Sequence, residues 1–222
     1  MNNSVSNTAR LLWAGLRALL VLTVVTGVIY PLAVTGVAQA LFNDQANGSE
    51  IKADGHVVGS SLIGQSYSLP LKKGQETPEP DLKWFQGRPQ NGLGTNSVNT
   101  QYKLILSGAT NRSGDNKDLI DWVTAAKAAV IKDNSVDGYT VRPSDVPADA
   151  VTSSGSGLDP DISPDYADIQ VHRVAEKNGL SVAQVQKLVD EHTDGRTLGF
   201  IGEPRANVLE LNIALKELVA KS

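Results

Sequence analysis

The sequence contains no cysteine. That excludes a disulfide framework and any thiolate chemistry, nucleophilic or metal-binding. Histidine is nearly as scarce: His56, His172 and His192 are the full set, and no two stand at the spacing of a metal pair such as H-E-x-x-H. Aromatic residues are 5 % of the chain, so a core must rely on aliphatic side chains. There is no phosphate-loop pattern, and Ser154-Gly155-Ser156-Gly157 lacks the first glycine of a Gly-x-Ser-x-Gly nucleophile elbow. Asp159 and Asp161 flank Pro160, but a carboxylate pair in a loop does not establish acid–base work. The residues therefore name no nucleophile–base pair and no catalytic site.

Charge is missing altogether from Ala18 to Phe42, a run of Leu, Val, Ala, Ile, Thr and Gly. A bilayer's hydrocarbon core, about 30 Å thick, needs about 20 apolar helical residues to cross it, and this run exceeds that with room for tilt. Its backbone polar groups would pair within the helix, as lipid demands. Pro31 removes one helical hydrogen bond and is a point at which the segment can kink. Arg10 and Arg17 precede the run, and no acidic residue occurs before Asp44. Basic flanks stay on the cytoplasmic side. The expected organisation is residues 1–10 cytoplasmic, 11–42 a transmembrane helix region, and 43–222 one extracytoplasmic domain, all in the cell membrane. A cleaved signal peptide is the alternative, because Ala38-Gln39-Ala40 fits the small-x-small cleavage pattern. Secretory apolar regions are shorter, about 7–15 residues, which favours a retained anchor.

Beyond Phe42 lie 18 of the 20 basic residues and all 24 acidic ones, a net charge of −6. An acidic domain without a basic cluster argues against nucleic acid as a partner. Its length suffices for one compact domain with a real core.

Turn-rich polar stretches alternate with short apolar ones. Asn43 to Asp54 reads as a turn and connection. His56 to Tyr67 reads as one or two short strands bent at Gly59 and Gly64. Gln65 is either a turn residue or an amide placed at a specific spot. Leu69 to Asp81 is loop, and Lys83 to Pro89 a short aromatic strand. Gln90 to Gln101 has no periodicity, Tyr102 to Leu106 is a candidate strand, and Ser107 to Asn116 is turn-rich. A helix is expected over Lys117 to Lys132 with Asn116 as its cap.

Val151 to Asp165 is rich in Ser, Gly and Asp. It is either an oxyanion-binding nest or a self-bonded connection. Ser163-Pro164-Asp165 starts a helix that stops at Gly179. Ser181 and Gln184 form a capping box for the next, ending near Thr193. Leu198 to Ile201 reads as a short apolar strand, and Arg205 to Ala220 as a final helix lying against the sheet. The fold class is α+β: one transmembrane helix, then a small sheet packed by about four helices.

Ala46-Asn47-Gly48-Ser49, Leu62-Ile63-Gly64-Gln65, Phe85-Gln86-Gly87-Arg88-Pro89, Val151 to Asp159 and the ending Gly202-Glu203-Pro204-Arg205-Ala206-Asn207-Val208 resemble the KdpC family. These are accessory subunits of Kdp-type potassium-transporting ATPases. The blocks keep their order from the anchor to the C-terminus. Gln90 to Leu106, Asn111 to Asn116 and His172 depart from the family pattern, which bears on local loop structure.

The resemblance implies a non-catalytic subunit of a high-affinity, ATP-driven potassium uptake complex. It would stabilise assembly and raise the ATP affinity of the catalytic subunit, a role called catalytic chaperone. The implied partners are the P-type ATPase catalytic subunit, a potassium-channel-like translocating subunit and a small single-pass subunit, within membrane lipid. ATP is the implied cofactor, with Gln65, Ser153, Gly155, Ser156 and Gly157 as family-level nucleotide candidates. The orientation set by Arg10 and Arg17 puts these residues away from cytoplasmic ATP, so an effect on ATP affinity would travel by coupling through the anchor and partner subunits. The alternative is a membrane-anchored extracytoplasmic domain that binds a small ligand.

Overall fold

The structure is a computed structural model that describes residues 3–91, 93–95 and 105–222. The chain divides into two compact units, Met1–Glu50 and Ile51–Ser222.

The first unit is a long helix. α1 (Asn3–Val24) runs through a π-helical turn (Val25–Ile29) into α2 (Tyr30–Leu41). Val5–Leu41 is the one helix among the described residues long and apolar enough to cross a membrane. The irregularity expected at Pro31 takes the form of that π turn. The Tyr30 N–H bonds the Val25 carbonyl, one residue further back than in an α-helix. The wider turn removes the carbonyl that the Pro31 ring would otherwise strike. The Thr26 hydroxyl bonds the Leu22 carbonyl at 2.7 Å just before it. A helical turn, α3 (Asn43–Ala46), follows. Asn43 and Asn47 bond the Gln39 side chain at 2.9 and 3.1 Å, closing the helix end with amides rather than charge.

In the second unit, β1 (Glu50–Ala53) and β2 (His56–Ser60) pair in a two-stranded sheet. Asp54 (φ 52°) and Gly55 (φ 78°) form the two-residue turn between them, the left-handed geometry that hairpins favour. β1 thus begins inside the stretch expected to be a polar connection. β3 (Gly94–Thr95) pairs antiparallel with β4 (Ile105–Leu106). Most of the aperiodic 90–101 segment and the first part of the expected 102–106 strand lie outside the described residues.

α4 spans Lys117–Asn134, capped by the Asn116 side chain on Leu119 N–H. α5 (Pro164–Asn178) starts at Ser163 and stops at Gly179, whose φ of 67° suits glycine. α6 (Val182–Glu191) has the expected Ser181–Gln184 capping box. The third sheet has the order β5 (Asp161–Ile162), β7 (Arg205–Asn207), β6 (Thr193–Asp194), both pairings antiparallel. α7 (Val208–Lys221) follows β7 directly, with Asn207 as cap.

The expectations for Arg205 to Asn207 and for Leu198 to Ile201 require correction. Arg205 to Asn207 is strand rather than the first turn of the last helix. Its backbone pairs with β5 and β6, and the Asn207 side chain then starts the helix. Leu198 to Ile201 is a tight turn closed by Thr197 and Ile201, not a strand. The mixed α+β class holds: among the described residues the strands form three small sheets, and α4 to α7 pack around a core of Phe85, Ile162, Val171, Val174, Val185, Val189, Leu211 and Leu215.

Candidate functional site

Lys83 to Pro89 makes no strand ladder. Its backbone is held instead by side chains. Asn212 on α7 accepts from Phe85 N–H and donates to Phe85 C=O, both at 2.9 Å. Gln170 on α5 does the same for Gln86, at 2.7 and 3.1 Å. Phe85 is fully buried, so each of these backbone groups would otherwise lack a partner.

Beside them Arg173, 1 % exposed, donates from Nε to Asn134 Oδ1 (2.8 Å), from Nη2 to Gln170 Oε1 (2.7 Å), and from Nη1 to Trp84 O (2.9 Å) and Leu82 O. All of these acceptors are neutral. Burial pushes the guanidinium down from 12.5 to about 10, with the Tyr166, Asp133 and Asp81 charges opposing the fall. It stays cationic at neutral pH. Burial likewise pushes the Tyr166 phenol up to about 12.

These groups flank a cavity of 330 Å³ whose lining includes Gln65, Arg88, Gln90, Asp133, Asp159 and Arg173. Arg88 pairs with Asp159 at 2.9 Å. The Leu62-Ile63-Gly64-Gln65 segment docks by backbone: Gly64 N–H bonds Leu158 O at 2.8 Å. A Cβ at Gly64 would fall 2.4 Å from Asp159 O. The Gln65 amide donates to Val58 O at 2.9 Å and lies over Gly59. Gln65 is thus a placed amide rather than a free turn residue. Nearby, burial raises the Asp161 carboxyl from its ordinary value, although Arg205 sits 3.0 Å away and opposes the shift.

Of the sequence candidates, only Gln65 lines this cavity. Ser153, Gly155, Ser156 and Gly157 belong to a separate loop, bonded within itself and to the Ser107–Gly108 segment. Ser156 Oγ accepts from Leu158 N–H at 3.1 Å and lies 3.2 Å from Ser154 Oγ. Ser156 O accepts from Gly108 N–H (3.0 Å) and Ser107 Oγ (2.9 Å). Gly157, at φ 69°, leaves no room for a Cβ, which would meet Leu93 at 2.7 Å. The loop is thus bonded partly within itself and partly to Ser107 and Gly108, with Gly157 buried and Ser156 exposed. His172 stacks on Tyr139, ring centroids 3.8 Å apart, and His192 Nδ1 lies 2.9 Å from Leu188 O.

The groups at the cavity are amides, guanidiniums and carboxylates, which can hold a polar ligand by hydrogen bonds and charge. Residue-level reading missed Gln170, Arg173 and Asn212. Their signal was present: each is a polar residue set within the apolar periodicity of its helix.

Comparison with known proteins covers the whole chain. Residues 12–217 match the family described as KdpC: K+-transporting ATPase, c chain. The chain is 86 % identical over 222 residues to a Streptomyces avermitilis protein, covering 100 % of both. It is 78 % identical over 220 residues to a Streptomyces coelicolor protein, covering 99 % of this chain and 98 % of the relative. A Mycobacterium tuberculosis H37Rv protein is 43 % identical over 209 residues, covering 94 % and 99 %. Each of these relatives is named as a potassium-transporting ATPase KdpC subunit. The order of blocks seen in the sequence and this end-to-end similarity agree: the chain belongs to the KdpC family.

Proposed function

We propose that this chain is a non-catalytic subunit of a high-affinity, ATP-driven potassium uptake complex. It joins the P-type ATPase catalytic subunit, a channel-like translocating subunit and a small single-pass subunit. There it stabilises the assembly and raises the catalytic subunit's affinity for ATP. The observation that carries this reading is the 86 % identity to a named KdpC subunit over the full length of both chains.

The apolar helix supports a membrane anchor, and Arg10 and Arg17 before the uncharged run support a cytoplasmic N-terminus. In that orientation Gln65 and the Ser153–Gly157 loop lie outside, and ATP affinity is raised by coupling rather than by direct contact. The test is to purify the ATPase with and without this chain. ATP hydrolysis should show a several-fold lower KM for ATP when it is present, and potassium uptake should require it. An unchanged KM in a complex that assembles equally well without the chain would end this reading. Protease added to intact cells should digest the folded portion; digestion only after lysis would reverse the orientation.

A second reading, an anchored domain that binds a small polar ligand, is favoured by the 330 Å³ cavity with Arg88, Gln65 and buried Arg173 on its wall. It predicts that the chain binds such a ligand with no ATPase subunit present.

A further inference from the structure

The segment between β6 and β7 turns outward at Thr197–Ile201. Thr197 and Ile201 exchange backbone hydrogen bonds of 2.9 and 3.0 Å, and Gly199 N–H bonds Arg196 O at 3.0 Å. An Arg196–Glu203 ion pair closes the base. The tip is therefore a built turn. It nevertheless displays Leu198, Phe200 and Ile201 at 79, 71 and 50 % exposure. Leu198 has a φ of 54°. A bulky side chain is strained there and rarely found, whereas Asn or Gly would be at ease. The turn keeps an apolar residue in a conformation that local stability disfavours, and points it at solvent.

We propose that this tip is an anchor that inserts into an apolar, uncharged recess on another subunit of the same ATPase. This rests on the reading of the chain as a subunit of that complex. Four observations select this occupant. The charged groups around the tip are Asp194, Arg196, Glu203 and Arg205, with Asp161 bridged to Arg205 at 3.0 Å. They carry no excess of positive charge, so nothing draws the tip to anionic lipid headgroups.

The tip's apolar surface is on the order of 300 Å², as large as the biggest patch on many monomers and often functional at that size. A stable interface needs about 800 Å² from each partner, so the tip alone makes neither a symmetric dimer nor a whole subunit contact and acts as the apolar centre of a larger one. Three adjacent large apolar side chains on a narrow, braced turn have instead the form of a central anchor residue cluster that fills a pocket. The chain's family is one of ATPase subunits, which supplies such a partner.

The experiment uses the full-length chain co-expressed with the other subunits of the ATPase and purified in mild detergent through a tag on this chain. The double variant Leu198→Asn/Phe200→Ser should recover at least tenfold less partner than the parent. Leu198→Asn puts a residue suited to positive φ into the turn, so thermal stability of the free chain should not fall. Should the double variant fail to fold, Leu198→Asn alone decides, with a several-fold loss expected.

A photoreactive phenylalanine analogue at position 200 should cross-link to another ATPase subunit. Equal recovery of partner by variant and parent overturns the proposal, as does a cross-link only to lipid or to a second copy. If the parent chain itself recovers no ATPase subunit, the subunit reading fails and the anchor fails with it. If the parent does and the variant matches it, the anchor alone is wrong.

Discussion

Asn212 and Phe85 stand 127 positions apart and exchange two hydrogen bonds of 2.9 Å in a buried site. The carboxamide presents to Phe85 what a neighbouring strand would: one acceptor for its N–H, one donor for its C=O. Asn212→Ala removes both and leaves two buried backbone groups unpaired. At about 1–3 kcal/mol for each, the loss of folding stability should be about 3 kcal/mol, read by chemical denaturation of the full chain. Asn212→Asp should also destabilise, because the carboxylate cannot donate to Phe85 C=O.

Arg173 supports the same segment from the other side, through Leu82 O and Trp84 O. Arg173→Met removes a buried charge, which by itself favours folding, but strands Asn134 Oδ1 and Leu82 O, while Gln170 Oε1 and Trp84 O keep donors from Gln86. The stranded acceptors outweigh the gain, and a net loss of about 2–4 kcal/mol is expected. Arg173→Lys keeps the charge and loses the planar fork, so it should destabilise as well. Its signature is pH dependence. A buried ammonium has a folded pKa below its unfolded value, so the folded state binds fewer protons and stability rises as pH rises through that folded pKa. The Met variant should lack that slope.

These two clamps mark where the sequence was legible and where it was not. Asn116, Ser163-Pro164, Gly179 and the Ser181–Gln184 box act on residues within a few positions of themselves. Their meaning is local, and the helices they bound could be read directly. Lys83 to Pro89 looked like a short strand because of its aromatic pair, Trp84 and Phe85. Its real partners are side chains from α5 and α7, which no local pattern shows. Leu198 to Ile201 looked like a short apolar strand from its composition, and the turn at Leu198 and Gly199 decides otherwise. The Ser153–Gly157 loop is held partly by Ser107 and Gly108, nearly fifty residues earlier. Gln65 was visible as a candidate amide, but the cavity it lines is assembled from long-range neighbours.

Gly64 and Gly59 invite a contrast. An alanine Cβ at Gly64 would lie 2.4 Å from the Asp159 carbonyl oxygen and 3.0 Å from its carbon. Both are backbone atoms that cannot step aside without parting the two segments and stretching the Gly64–Leu158 bond. Gly64→Ala should therefore cost about 2–3 kcal/mol. At Gly59 the nearest atom is Gln65 Nε2, at 1.9 Å, the far end of a flexible side chain. Gly59→Ala should cost about 1 kcal/mol, mainly the lost bond to Val58 O and crowding against Leu209. Denaturation curves of the two variants should rank them in that order.

Tyr166 contributes to the pH dependence of the fold in alkali. It is 4 % exposed, and burial raises its phenol from 10.0 to about 12, helped by Asp149 and Asp133 and opposed by Arg173. The folded pKa is above the unfolded one. Between pH 10 and about 12 the folded state thus holds a proton that the unfolded chain has released. By linkage its contribution to stability is complete below pH 10 and is lost as pH rises through about 12. Tyr166→Phe cannot ionise, so stability should fall less steeply across that window. In a phenolate absorbance titration of the folded chain, the same substitution should delete a late-titrating tyrosine. A variant that retains both the late phenolate and the parent's slope would assign them to Tyr67 or Tyr139, whose phenols burial also raises.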